Sequence, residues 1–130
     1  MTRFAANSDK GAKRWLRFIQ ADPFAPTWKK LGLGDEELRQ LEWEILCDPE
    51  EAPVVSGTGG LRKIRFGPRS WNRGKRGAVR VYFASFVAHG IVLLVFAHDK
   101  SVAETLPEAE KRVIKALIGR VEAALRSGRY

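Results

Sequence analysis

The apolar positions change period along the chain, and each change predicts an element. Leu38, Leu41, Ile45 and Leu46 recur at i, i+3, i+7 and i+8, one face of a 3.6-residue period. They predict a helix that opens at Asp35, whose carboxylate can cap it. Two β-rich runs follow at Ala78 to Phe86 and Ile91 to Ala97, with a hairpin turn at Val87 to Gly90 between them. The glycine-rich turn Ser56 to Gly60 leads into a further strand, then a Gly/Pro/Asn-rich loop from Gly67 to Gly77. Together these predict an antiparallel meander. IVLLVFA is apolar at every position, so it is expected as a central strand covered on both faces, which calls for helices. Near the C-terminus, Thr105-Leu-Pro-Glu108 reads as a capping box, and Val113, Ile114, Leu117, Ile118, Val121 and Leu125 form the apolar stripe of a last helix. That stripe either closes the core or faces a partner.

The N-terminal third carries weaker patterns. Met1 to Gly11 show no hydrophobic period and are expected as a flexible lead-in, with residues 12–130 as a single domain. Trp15, Leu16, Phe18 and Ile19 suit a strand or a pair of helical turns, the strand being favoured. Pro26 to Leu31 suit a short helix with Trp28 inward, and Asp48 to Pro53 a polar connector. The expected class is α+β: a small meander sheet with N-terminal helices and a C-terminal helix packed against it.

Composition sharpens this picture in two ways. With 130 residues and 45% hydrophobic positions, the chain can bury a real core without staples. Cys47 is the one cysteine, so no intramolecular disulfide can form and a reducing compartment fits. No run has the length of a secretory signal or a bilayer span, so a cytoplasmic location without a membrane is expected. Cys47 and the two histidines lack metal-ligand spacing, and no phosphate-cradling glycine loop is followed by its lysine, so neither a metal nor a cofactor is expected.

Charge changes the picture most. Eight of the 23 Lys and Arg fall between Leu61 and Tyr82, with none of the 15 Asp and Glu, so the whole formal charge of +8 sits in that stretch. Phe66 and Trp71 are interleaved with it. Such a segment suits a surface that neutralises phosphates and stacks on bases, so nucleic acid is the expected partner. The acids Asp35, Glu36, Glu37, Glu42 and Glu44 gather instead on the first long helix, as a solvated face or as a patch for a basic partner.

Alternation gives the basic segment a geometry. Lys63 and Arg65 share one face of their strand, with Arg62, Ile64 and Phe66 on the other; Arg80 and Tyr82 share a face opposite Val79, Val81 and Phe83. If the two strands pair apolar side to apolar side, Lys63, Arg65, Arg80 and Tyr82 converge on one solvent-facing surface. Fixed cations there suit cleavage of an RNA phosphodiester by its own 2′-hydroxyl, a reaction that needs no metal. Tyr82, His98 or Lys100 could move the protons. A phosphate-binding surface without chemistry fits the same residues. Arg62, Arg69, Arg73, Lys75 and Arg76 read as sequence-independent RNA contacts, and Trp71 either stacks on a base or folds back on the sheet.

Three stretches carry a resemblance: GTGGLRKIRF at Gly57 to Phe66, RGKRGAVRVYF at Arg73 to Phe83, and LVFAHDKS at Leu94 to Ser101. Over about Asp35 to Leu106 the chain resembles the RelE/HigB-like toxins of bacterial type II toxin-antitoxin systems, the HigB branch most. The resemblance implies an endoribonuclease that cuts mRNA in the ribosomal A site, held by a cognate antitoxin, usually a helix-turn-helix protein. It places catalytic cations at Lys63, Arg65, Arg80 and Lys100. The chain departs from the pattern at Ala97 to Ser101, where the second cation of some relatives is missing. It departs again at Leu106, where some relatives have an aromatic, and at Ala78, which replaces a glycine. A catalytically silent relative that binds RNA or an antitoxin is the alternative.

Overall fold

The structure, a computed structural model, describes residues 2–7, 14–71, 79–99 and 106–128. Its sheet has five strands: β1 (Thr2–Asn7), β2 (Arg14–Gln20), β3 (Arg62–Phe66), β4 (Val79–Phe86) and β5 (Ile91–His98), in the order β1-β2-β5-β4-β3. The expected meander is present, since β3 pairs antiparallel with β4 and β4 with β5. The sheet as a whole is mixed, because β2 runs parallel to β5. The helices are α1 (Phe24–Lys30), α2 (Asp35–Cys47) and α3 (Glu108–Arg126), which makes the class α+β as expected.

β5 occupies the centre for the reason its composition suggests. Val92, Leu94 and Ala97 enter one buried cluster with Leu16, Phe18 and Phe83, under α1 and α2. Ile91, Leu93 and Val95 enter another with Tyr82 and Ala84, under Ile118, Val121 and Leu125 of α3. The α3 stripe thus closes a core, while Val113 stays 67% exposed. In α1, Phe24 and Trp28 are buried and stacked at 5.3 Å, and the Trp28 indole N–H donates to the Gly34 carbonyl at 3.1 Å.

Four expectations are corrected. The lead-in is not frayed throughout: Thr2–Asn7 pair antiparallel with β2 along their whole length, so backbone hydrogen bonding supplies the order that the side-chain pattern does not announce. The cap of α2 is Gly34, not Asp35; the Gly34 amide donates to Glu37 Oε1 at 2.8 Å. Glu42 is not on a solvated face. It is 5% exposed, on a helix that packs against β1. α3 has Pro107 as its N-cap with no side-chain bond, which makes Glu108 the first helical residue, and Thr105 lies outside the described residues. At the turn before β5 a short 3-10 segment, Val87–His89, ends on Gly90 at φ 71°.

Candidate nucleic-acid interface

The β3–β4 register sets Lys63 opposite Tyr82 and Arg65 opposite Arg80. Residues directly opposite in an antiparallel pair share a face, so these four lie on one face of the sheet. The β4–β5 register then extends both rows, with Phe96 opposite Tyr82 and His98 opposite Arg80. Two rows result, Lys63–Tyr82–Phe96 and Arg65–Arg80–His98, on the face turned away from α2. Arg65 is exposed, while Lys63, Arg80 and His98 are half-buried. Two guanidinium groups directly opposite one another weaken a sheet. Arg65 is exposed, so solvent screens the two charges.

Tyr82 does not face solvent. It is fully buried under α3, and its ring meets Phe96 edge-on at 4.3 Å, while Phe96 meets His98 edge-on at 5.2 Å. Its apolar body is needed by the core beneath α3, which the two-strand pattern could not show. The tyrosine therefore anchors the aromatic chain Tyr82–Phe96–His98 and sets the His98 ring at the end of the arginine row. Beside β3, whose outer edge is partly paired with Pro53–Val55, runs a groove of about 620 Å³ bordered by residues of both sheet faces, among them Lys63, Arg65 and Arg80.

The remaining candidates are more dispersed. Arg62 points to the other face, where its Nη1 donates to the carbonyls of Glu50 at 2.8 Å and Ala52 at 2.6 Å, tying the connector to β3. Trp71 is half-buried and packs against the cluster under α1 and α2, so its ring is folded back on the body of the domain. Arg69 is exposed. Lys100, Arg73, Lys75 and Arg76 lie outside the described residues.

Two features were not read from the sequence. α3 carries Lys111 and Lys115 onto the glycine-rich turn: a Cβ at Gly57 would stand 3.4 Å from Lys111 Cδ, and one at Gly59, where φ is +74°, only 3.0 Å from Lys115 Cγ. Their i, i+4 spacing beside the apolar stripe was the available signal. The second feature is how the start of the basic loop is fixed. Gln40 Oε1 accepts the Arg69 amide at 2.9 Å, Gln40 Nε2 donates to the Gly67 carbonyl at 3.0 Å, and the Ser70 hydroxyl donates to Glu37 Oε2 at 2.5 Å.

The Ser70 hydroxyl, followed by the Gly34 amide, holds the Glu37 carboxyl below its ordinary pKa. A depressed folded pKa adds stability that is complete above the ordinary glutamate range and disappears as pH falls through the folded value. The Arg69 and Ser70 amide resonances should therefore shift with a Glu37 midpoint below that of a free glutamate. Ser70→Ala should raise the midpoint, and an unchanged midpoint in that variant would contradict the bond.

Among the described residues no group of three or more His, Cys, Asp or Glu could hold a metal ion. No helix of the described residues is long and apolar enough to cross a membrane. No family model matches the chain. Among solved structures, the E. coli toxin RelE, in its free state and as a double Arg-to-Ala variant, is similar over 74% of this chain and 95% of that one, with 22% sequence identity and a TM-score of 0.48.

Proposed function

We propose that the chain is the toxin of a type II toxin-antitoxin pair, of the HigB branch, and that it cuts mRNA in the ribosomal A site. The observation that carries this reading is the pair of rows across β3, β4 and β5, which sets Lys63, Arg65 and Arg80 side by side with His98 at the rim. The sequence resemblance at Gly57 to Phe66 and Arg73 to Phe83 supports it from the same residues. In the reaction the 2′-hydroxyl attacks the adjacent phosphorus as the bond to the 5′-oxygen breaks. A 2′,3′-cyclic phosphate and a 5′-hydroxyl result. Arg65 and Arg80 hold the non-bridging oxygens as charge grows on them. In this reading Lys63 and His98, which lie in the two rows, take the 2′ proton and return one to the leaving oxygen.

The partners in this reading are the ribosome with its mRNA, acting in the cytoplasm, and a cognate antitoxin of helix-turn-helix type. The test is incubation of the purified chain with mRNA-programmed ribosomes, followed by analysis of the new RNA ends. Cyclic phosphate and 5′-hydroxyl ends support the reading. Binding without any new ends would point to a silent relative instead.

A further inference from the structure

We infer that Gln40 and Glu37 of α2 are positioning residues for RNA binding, clamping the start of the basic loop so that Arg69 is presented to a phosphate of the bound RNA; this rests on the reading of the chain as an RNA-cutting toxin. Gln40 uses both of its donors and its acceptor oxygen. Its Oε1 accepts the Arg69 amide, and its Nε2 donates both to the Gly67 carbonyl and to Glu44 Oε2, at 2.9 Å. The side-chain amide thus bridges two main-chain groups of the loop in the manner of a strand partner, and Glu44 fixes its orientation. Glu37 makes a second bridge, with Oε1 on the Gly34 amide that starts α2 and Oε2 on the Ser70 hydroxyl.

Between these bridges the loop is a closed turn. The Trp71 amide donates to the Pro68 carbonyl at 3.1 Å, Pro68 is buried, and Trp71 packs on the core. Residues 67–71 are therefore held at both ends, while the Arg69 side chain, between the bridges, is left exposed. The acids of α2 acquire a role in this arrangement. Glu37 and Glu44 are structural acceptors that hold a cationic loop, and neither needs a basic partner from outside. A guanidinium whose backbone is fixed before binding loses less entropy on contact, so the clamp should appear in affinity and leave the chemical step alone.

The test is cleavage by the full chain on mRNA-programmed ribosomes, with KM and kcat measured separately for Gln40→Ala, Arg69→Ala and the double variant. Thermal melts would confirm that each variant folds. Gln40→Ala should raise KM roughly fivefold, with kcat within about twofold. The double variant should be no worse than Arg69→Ala, because the clamp acts through that arginine. Gln40→Glu keeps an acceptor for the Arg69 amide and should recover part of the loss. Full additivity of Gln40→Ala and Arg69→Ala, or an unchanged KM in Gln40→Ala, overturns the inference while the toxin reading stands. A native chain that neither binds nor cuts removes both.

Discussion

Replacing Arg65 and Arg80 together with alanine should abolish growth inhibition and lower RNA cleavage by roughly 10²–10³-fold or more, while the chain stays folded. Loss of one preorganised charge stabiliser of a phosphoryl or acyl transition state typically costs about 10²–10³ in rate. These two arginines are partners across the ladder, and in the proposed reaction both act on the same developing charge. Arg65 is exposed and Arg80 half-buried, so neither truncation opens a cavity in the core. In the toxin reading proposed above, antitoxin binding should survive, since the variant changes two side chains on one rim. Retained toxicity would show that the reaction is centred elsewhere.

Tyr82→Ala should cost about 3–5 kcal/mol of stability, the range for truncating a large buried aromatic. Tyr82 is fully buried, and it is the first support of the aromatic chain through Phe96 to His98. That loss is a large fraction of the roughly 5–15 kcal/mol that holds a domain together, so the variant should be poorly soluble or unfolded near 37 °C. Tyr82→Phe keeps the ring and its edge-on contact, and should leave cleavage within about threefold of native if the residue is a scaffold. Urea unfolding of both variants, beside single-turnover cleavage by Tyr82→Phe, separates the roles. A folded Tyr82→Phe that loses cleavage by about a hundredfold would return the phenol to the chemistry.

The contrast between Tyr82 and its neighbours shows what could be read from the chain. Lys63, Arg65 and Arg80 were grouped by alternation, because a period of two assigns each residue to a face and the apolar set fixes which face is inward. The same alternation put Tyr82 with them and could not show that α3 lies over it, since a tertiary contact between residue 82 and residues 118–125 leaves no local mark. The alignment of His98 with Arg80 is likewise a matter of register: an irregularity at Tyr82/Phe83 shifts the β4–β5 pairing. β5 was legible because seven consecutive apolar residues can only be central. β1 was not, and neither was the parallel β2–β5 pairing, which joins Arg17 to Ile91 over a long stretch of chain. Gln40 and Glu37 were hidden for another reason. As polar residues on a helix they look solvated, and only the loop folded against them reveals their bonds.

The most direct test of the central claim, that the cationic rows cut mRNA, is induced expression in a bacterial host. Growth and the 5′ ends of cellular transcripts would be followed together for the native chain and for Lys63→Ala/Arg80→Ala. The native chain should arrest growth with new in-frame cuts in translated messages, and the variant should grow normally with intact transcripts. Intact transcripts with the native chain, or the same cuts from the variant, would contradict it.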